Sequence, residues 1–115
     1  MSAEYISGAV FFAGVATGDL STSINSDPIK IEFQNILSIQ AIYTGSPTGQ
    51  LLVQGSLDLT NWITFPLVTK TIDAAGTHIW DFPTTAIPYF RISYSRTIGT
   101  GTLQLLIHHK RYSRG

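Results

Sequence analysis

The groups that could move a proton, attack a carbonyl or hold a metal are few in this chain. Its seven carboxylates are Glu4, Asp19, Asp27, Glu32, Asp58, Asp73 and Asp81. Most fall in or beside turn residues, where Asp caps its own backbone, so no pair is placed for acid–base or glycosidic chemistry. Of the three histidines, His78 faces as Trp80 does along one strand, and His108 and His109 are neighbours. Adjacent strand residues point to opposite faces and cannot close on one metal ion. The absence of cysteine removes thiolate–zinc sites, thiol nucleophiles and disulfides together. There is no phosphate-cradling glycine loop, Gly-x-Ser-x-Gly or His-Glu-x-x-His. These residues argue against an enzyme and call for no cofactor.

The elements that would position any site are strands. Thr, Ile and Val supply 32 of 115 residues, and such side chains suit a pleated, half-buried surface. Period-two alternation recurs at Ile29–Gln34, Leu37–Tyr43, Leu51–Ser56, Phe90–Ser95 and Leu103–His108, with weaker strands expected at 9–17, 62–66, 68–73 and 77–82. No window repeats apolar residues at helical spacing. Turn residues punctuate the strands at Ser26-Asp27-Pro28, Gly45–Gly49, Asp73–Gly76 and Gly99-Thr100-Gly101. About eight half-polar strands predict an all-β, two-sheet antiparallel sandwich of jelly-roll type, with an immunoglobulin-like order as the alternative. Residues 42–53 and 93–104 look alike, and are read as two hairpins solving one turn problem.

At 115 residues the chain is expected as one domain, 1–115, with 108–115 a candidate basic tail. The apolar run from Tyr5 to Ala16 follows Glu4 rather than Lys or Arg. It reads as a first strand, not a secretory leader, and is too short to span a bilayer. Charged residues are only 12% against about 25% in an average soluble domain, and net charge is zero. The balance is uneven: residues 1–82 carry seven acids against Lys30 and Lys70, whereas 83–115 carry five bases and no acid. A chain neutral overall does not point to nucleic acid. The basic end, with Lys110, Arg111 and Arg114, could instead dock on an acidic protein. Leu52 and Leu106 alternate away from the core-facing set and are candidate interface residues, unless loops cover them.

The segment Ser56-Leu57-Asp58-Leu59-Thr60-Asn61-Trp62 resembles the Ser-x-Asp-x-x-x-Trp hairpin of discoidin-like sandwiches. With Ser38–Ala41, Tyr43–Gly45, Pro47–Gly49, Trp80-Asp81, Pro88–Tyr94, Thr97, Gly99–Leu103 and Lys110, the chain resembles small β-sandwich virion proteins of tailed bacteriophages over residues 36–110. In this hairpin Asp58 is expected to accept loop amides, Asn61 to take a left-handed backbone and Trp62 to close the sandwich end, all structural roles.

The phage resemblance implies a non-enzymatic virion protein that decorates or cements the capsid, the partner being the major capsid or another virion protein. Sparse charge and zero net charge fit association into a homo-oligomer, with a trimer favoured. The alternative is a glycan-binding module for host attachment, stacking sugars on Tyr43, Trp62 or Tyr94. Both readings are free of cofactor and membrane.

Overall fold

The computed structural model describes residues 2–31, 36–82 and 87–113, with side chains for 8–31, 36–82 and 87–108. Among the described residues there are eleven strands: β1 (Ser2–Val10), β2 (Gly18–Asp19), β3 (Ile24–Asn25), β4 (Ile29–Lys30), β5 (Ile36–Tyr43), β6 (Thr48–Ser56), β7 (Ile63–Thr64), β8 (Lys70–Ile72), β9 (Gly76–Phe82), β10 (Tyr89–Ile98) and β11 (Thr102–Ser113). They form two sheets in which every pairing is antiparallel.

The first sheet runs β1-β11-β5-β9, with β2 continuing the place of β1 along β11. In the second, β3 and β4 share one side of β10, β6 lies on its other side, and β7 and β8 share the far side of β6. Joining the pieces that share a place leaves eight strand positions, ordered 1-8-3-6 and 2-7-4-5. That is the eight-stranded jelly roll of the sequence reading, not the immunoglobulin order.

The alternation read from the sequence builds the core directly. Leu37, Ile39, Ala41 and Tyr43 of β5 and Leu103 and Leu105 of β11 face Leu51 and Val53 of β6 and Phe90, Ile92 and Tyr94 of β10. Each large apolar side chain so buried stabilises the fold by roughly 1.5–3 kcal/mol. Trp80 seals the β9 side, its indole N–H donating to the Val68 carbonyl at 2.7 Å and tying down the 3-10 turn Pro66–Val68.

Three local expectations change. The strand expected at 9–17 ends at Val10. Phe12 and Val15 exchange backbone hydrogen bonds of 2.8 and 3.1 Å around Ala13 (φ 51°) and Gly14 (φ 87°), a turn with both central residues left-handed. Such turns match strand twist, so two residues reverse the chain inside an apolar run. The strand expected from Ile29 shows only Ile29–Lys30 and a buried Ile31, and Glu32–Gln34 lie outside the described residues. His108–Ser113, set apart as a candidate tail, continue β11 and pair with β1 from Ser2↔Ser113 to Ser7↔His108.

The look-alike segments are not hairpins. β5 and β11 belong to one sheet and β6 and β10 to the other, so 44–47 and 99–101 are crossovers from sheet to sheet.

Candidate functional site

The outer face of the second sheet holds the most organised polar group on the described surface. Period two puts Phe90, Ile92 and Tyr94 inward, and so turns Arg91 and Ser93 outward. Arg91 pairs in register with Gln54, and Gln54 with Thr64. The Nε of Arg91 donates to Gln54 Oε1 at 2.7 Å, and Gln54 Nε2 donates to Thr64 Oγ1 at 3.0 Å. The Arg91 guanidinium carbon lies 4.4 Å from the Trp62 ring centroid. Stacking and the Nε bond together hold the guanidinium in one orientation. Partial burial lowers its pKa from the ordinary arginine value.

Trp62 is delivered by the loop that begins at Ser56. Asp58 Oδ1 accepts from the amides of Asn61 (2.8 Å) and Thr60 (2.9 Å) and from Ser56 Oγ (2.9 Å), while Oδ2 accepts from Asn61 Nδ2 at 2.8 Å. The Ser56 hydroxyl in turn accepts from the amides of Asp58 and Leu59 at 3.1 and 3.0 Å. Two short side chains thus take the four consecutive amides from Asp58 to Asn61. The Asn61 amides, then Thr60 and Ser56, hold the Asp58 carboxyl well below the usual carboxylate range. Asp58 therefore accepts loop amides as expected, but the left-handed residue is Leu59 (φ 64°), not Asn61. Asn61 instead uses its side chain on Asp58. Trp62 is half-buried beneath Arg91 on the outer face, while Trp80 packs in the core.

The other predicted site residues do not converge. Leu52 is half-buried on the outer face of the second sheet, opposite Ser93. Leu106 is half-buried on the outer face of the first, beside Gln40 and near Ile79, which is 58% exposed. The two leucines therefore stand on opposite sides of the sandwich. Lys110 and Arg111 lie within β11, their side chains outside the described residues, as is all of Arg114. Of the three rings proposed to stack on sugars, Tyr43 and Tyr94 are 6% and 1% exposed, and the Tyr94 hydroxyl donates to the Thr48 carbonyl at 3.1 Å.

Sequence reasoning missed the Arg91–Gln54–Thr64 line, because its members come from three strands 37 and 10 residues apart. A shallow cleft of about 260 Å³ lies beside the Asp58 loop, lined by Gly55, Leu57, Ile63 and Ile87 among others. Among the described residues no three His, Asp or Glu side chains gather as a metal site. No described helix is long and apolar enough to cross a membrane.

No protein-family model matches the sequence, and no curated protein matches it. Among solved structures, the fold is similar to that of the SPBc2 prophage-derived protein YomS, with a TM-score of 0.61 at 8% identity over 94% of this chain and 96% of that one. It is also similar to PirA, with a TM-score of 0.52 at 12% identity over 91% and 92% of the two chains. At these identities the likeness is one of fold. A prophage-derived protein thus shares this all-β sandwich almost end to end.

Proposed function

We propose that the chain is a non-enzymatic virion protein of a tailed bacteriophage that decorates or cements the capsid as a homo-oligomer, a trimer being favoured. The supporting observation is the end-to-end likeness of fold to a prophage-derived protein. The surface agrees with a life in contact. Leu57, Ile63 and Leu67, 74, 61 and 98% exposed, lie between the end of β6 and the start of β8, and apolar exposure of this kind suits an interface. Many copies, each bound weakly across neighbouring capsid subunits, would stiffen a shell by avidity.

The glycan-binding reading draws less support, because the burial of Tyr43 and Tyr94 leaves half-buried Trp62 as the member of its trio at the surface, with Arg91 over the ring.

Two measurements test the proposal. Light scattering on a size-exclusion column at several concentrations reports the oligomer, and a trimer or other closed oligomer is expected. Mass spectrometry of particles made from the encoding phage genome is expected to find the chain at capsid-like copy number. Its absence from purified particles would overturn the proposal, and a concentration-independent monomer would remove the homo-oligomer.

A further inference from the structure

The strands of the two sheets differ in their charged residues. Among the described residues, the strands of the second sheet carry Lys30, Lys70, Arg91 and Arg96 and no Asp or Glu. Those of the first carry Glu4, Asp19 and Asp81 against Lys110 and Arg111. Of these four cations of the second sheet, Lys30 and Arg91 lie on its outward register, whereas Lys70, opposite buried Leu51, and Arg96, in step with buried Tyr94, lie on the inward one.

On that outer face one group is built for recognition. Arg91 spends its Nε on Gln54 and the face of its guanidinium on Trp62. Its two Nη groups have no hydrogen-bond partner among the described residues. They offer four N–H donors in a plane fixed from two sides, a shape that fits a carboxylate. Exposed Lys30 enters the same outer face opposite Tyr89, and Leu52 sits two residue pairs along from Arg91 and Gln54, at the next outward pair. The nearby Asp58 carboxylate is already filled by its own loop. We propose that this face is a docking surface for an acidic protein partner, and that Arg91 is its anchor, taking a partner carboxylate on its Nη groups. A protein fits better than an acidic sugar, because the ring that a sugar would stack on is occupied by Arg91 and the surrounding face is an open sheet with an apolar neighbour in Leu52. The inference deepens the capsid-docking reading by naming the face used, and it rests on that reading for the identity of the partner.

The test uses the full chain, labelled with ¹⁵N, titrated with poly-L-glutamate and, separately, with polygalacturonate. Poly-L-glutamate is expected to move the Arg91 Nε–H and Trp62 Nε1–H resonances. Apparent affinity should fall about tenfold in Arg91→Gln and fall again with added salt, a tenfold loss being what one charge-assisted contact supplies. Arg91→Lys, which keeps charge but loses the fork, should recover only part of that loss. Cooperative unfolding retained in both variants separates recognition from misfolding, and Trp62→Leu, which frees the guanidinium while leaving it charged, provides a second route. Shifts centred on β11, or equal binding by Arg91→Gln, would overturn the proposal. Tighter binding of polygalacturonate at the same resonances would overturn the protein partner. Co-sedimentation with purified phage particles separates the two readings. Wild-type protein bound and Arg91→Gln bound equally would sink this face alone, whereas wild-type protein unbound would sink the capsid reading, leaving the titration to decide the carboxylate site.

Discussion

The hydroxyls of Thr44 and Thr102 meet at 2.5 Å across one end of the sandwich. They belong to the two look-alike segments, which run past each other in opposite directions between the sheets. Thr44 N–H donates to the Thr102 carbonyl at 3.0 Å and Ser46 N–H to the Thr100 carbonyl at 2.9 Å. A side-chain carbon on Gly99 would strike the Ser46 carbonyl, and one on Gly101 the Thr44 carbonyl. The repeated Thr-Gly pattern is therefore the fit of two crossovers against each other. Gly99 also has φ 91°, which an L side chain adopts at a cost of about 1–2 kcal/mol. Gly99→Ala and Gly101→Ala are each expected to lower stability by roughly 2–3 kcal/mol, near the upper end for a point substitution. Urea midpoints within error of wild type would show that the crossovers do not interlock in solution.

A buried serine continues the β10 pairing across the break between β3 and β4. Ser26 is 4% exposed; its N–H donates to the Ile92 carbonyl at 2.8 Å, and its Oγ accepts from the Ile92 N–H at 2.9 Å. Ser26→Ala leaves the Ile92 amide without that acceptor inside the protein, a loss of about 1–3 kcal/mol. Urea unfolding measures the loss, and amide exchange at Ile92 should quicken in the variant. Exchange as slow as in wild type would mean that another acceptor replaces the hydroxyl.

His78 and Asp58 shape the acid side of the stability profile, with Asp19, lowered by the Ser21 amide and hydroxyl, adding to the Asp58 window. Burial, with Lys70 close by, lowers the His78 pKa from its usual 6.5, so the folded state holds fewer protons than the unfolded one there. Its contribution is present above about pH 6.5 and is lost as pH falls below that value. Asp58, also lowered, acts in a second window: its contribution is present above about pH 3.9 and declines as pH falls further. Denaturation midpoints from pH 8 to pH 2 should therefore fall in two stages. His78→Gln should flatten the upper stage and Asp58→Asn the lower. A single stage untouched by either variant would contradict both assignments.

The jelly roll could be read from the chain because its main evidence is local: Leu37–Tyr43, Phe90–Ser95 and Leu103–His108 alternate strictly, and each inward residue is buried or packed on the core where its side chain is described. Where the decisive fact is a pairing between distant strands, the residues alone do not state it. Nothing in the types of residues 42–53 and 93–104 says that each crosses from sheet to sheet. Likewise, Arg91 and Gln54 become neighbours only through the β10–β6 register. Leu52 and Leu106 each follow from alternation as outward residues, but their separation onto opposite faces follows from topology. The Asp58 loop lies between these cases. Its side-chain caps are local and predictable, whereas the left-handed residue depends on which position the hydrogen bonds leave at the bend, and that is Leu59.

The two tryptophans report on different surfaces and can be read separately. Trp80 is 4% exposed, with its N–H bonded to Val68 and His78 edge-on at 4.8 Å between ring centroids. Trp62 is half-buried beneath Arg91. Trp62→Phe should leave blue-shifted emission that acrylamide quenches poorly, and Trp80→Phe should leave redder emission that it quenches readily. Truncation to alanine should divide the pair by energy as well. Trp80→Ala empties a packed core position at roughly 3–5 kcal/mol, whereas Trp62→Ala gives up chiefly an exposed cation–π contact of about 0.5–1 kcal/mol. Because Arg91 shields the Trp62 ring, Arg91→Gln in the Trp80→Phe background should raise quenching further while stability stays within about 1 kcal/mol of the Trp80→Phe parent. Equal quenching in the two backgrounds would mean that the guanidinium does not rest on the ring, which would remove the physical basis for a preset anchor on the second sheet.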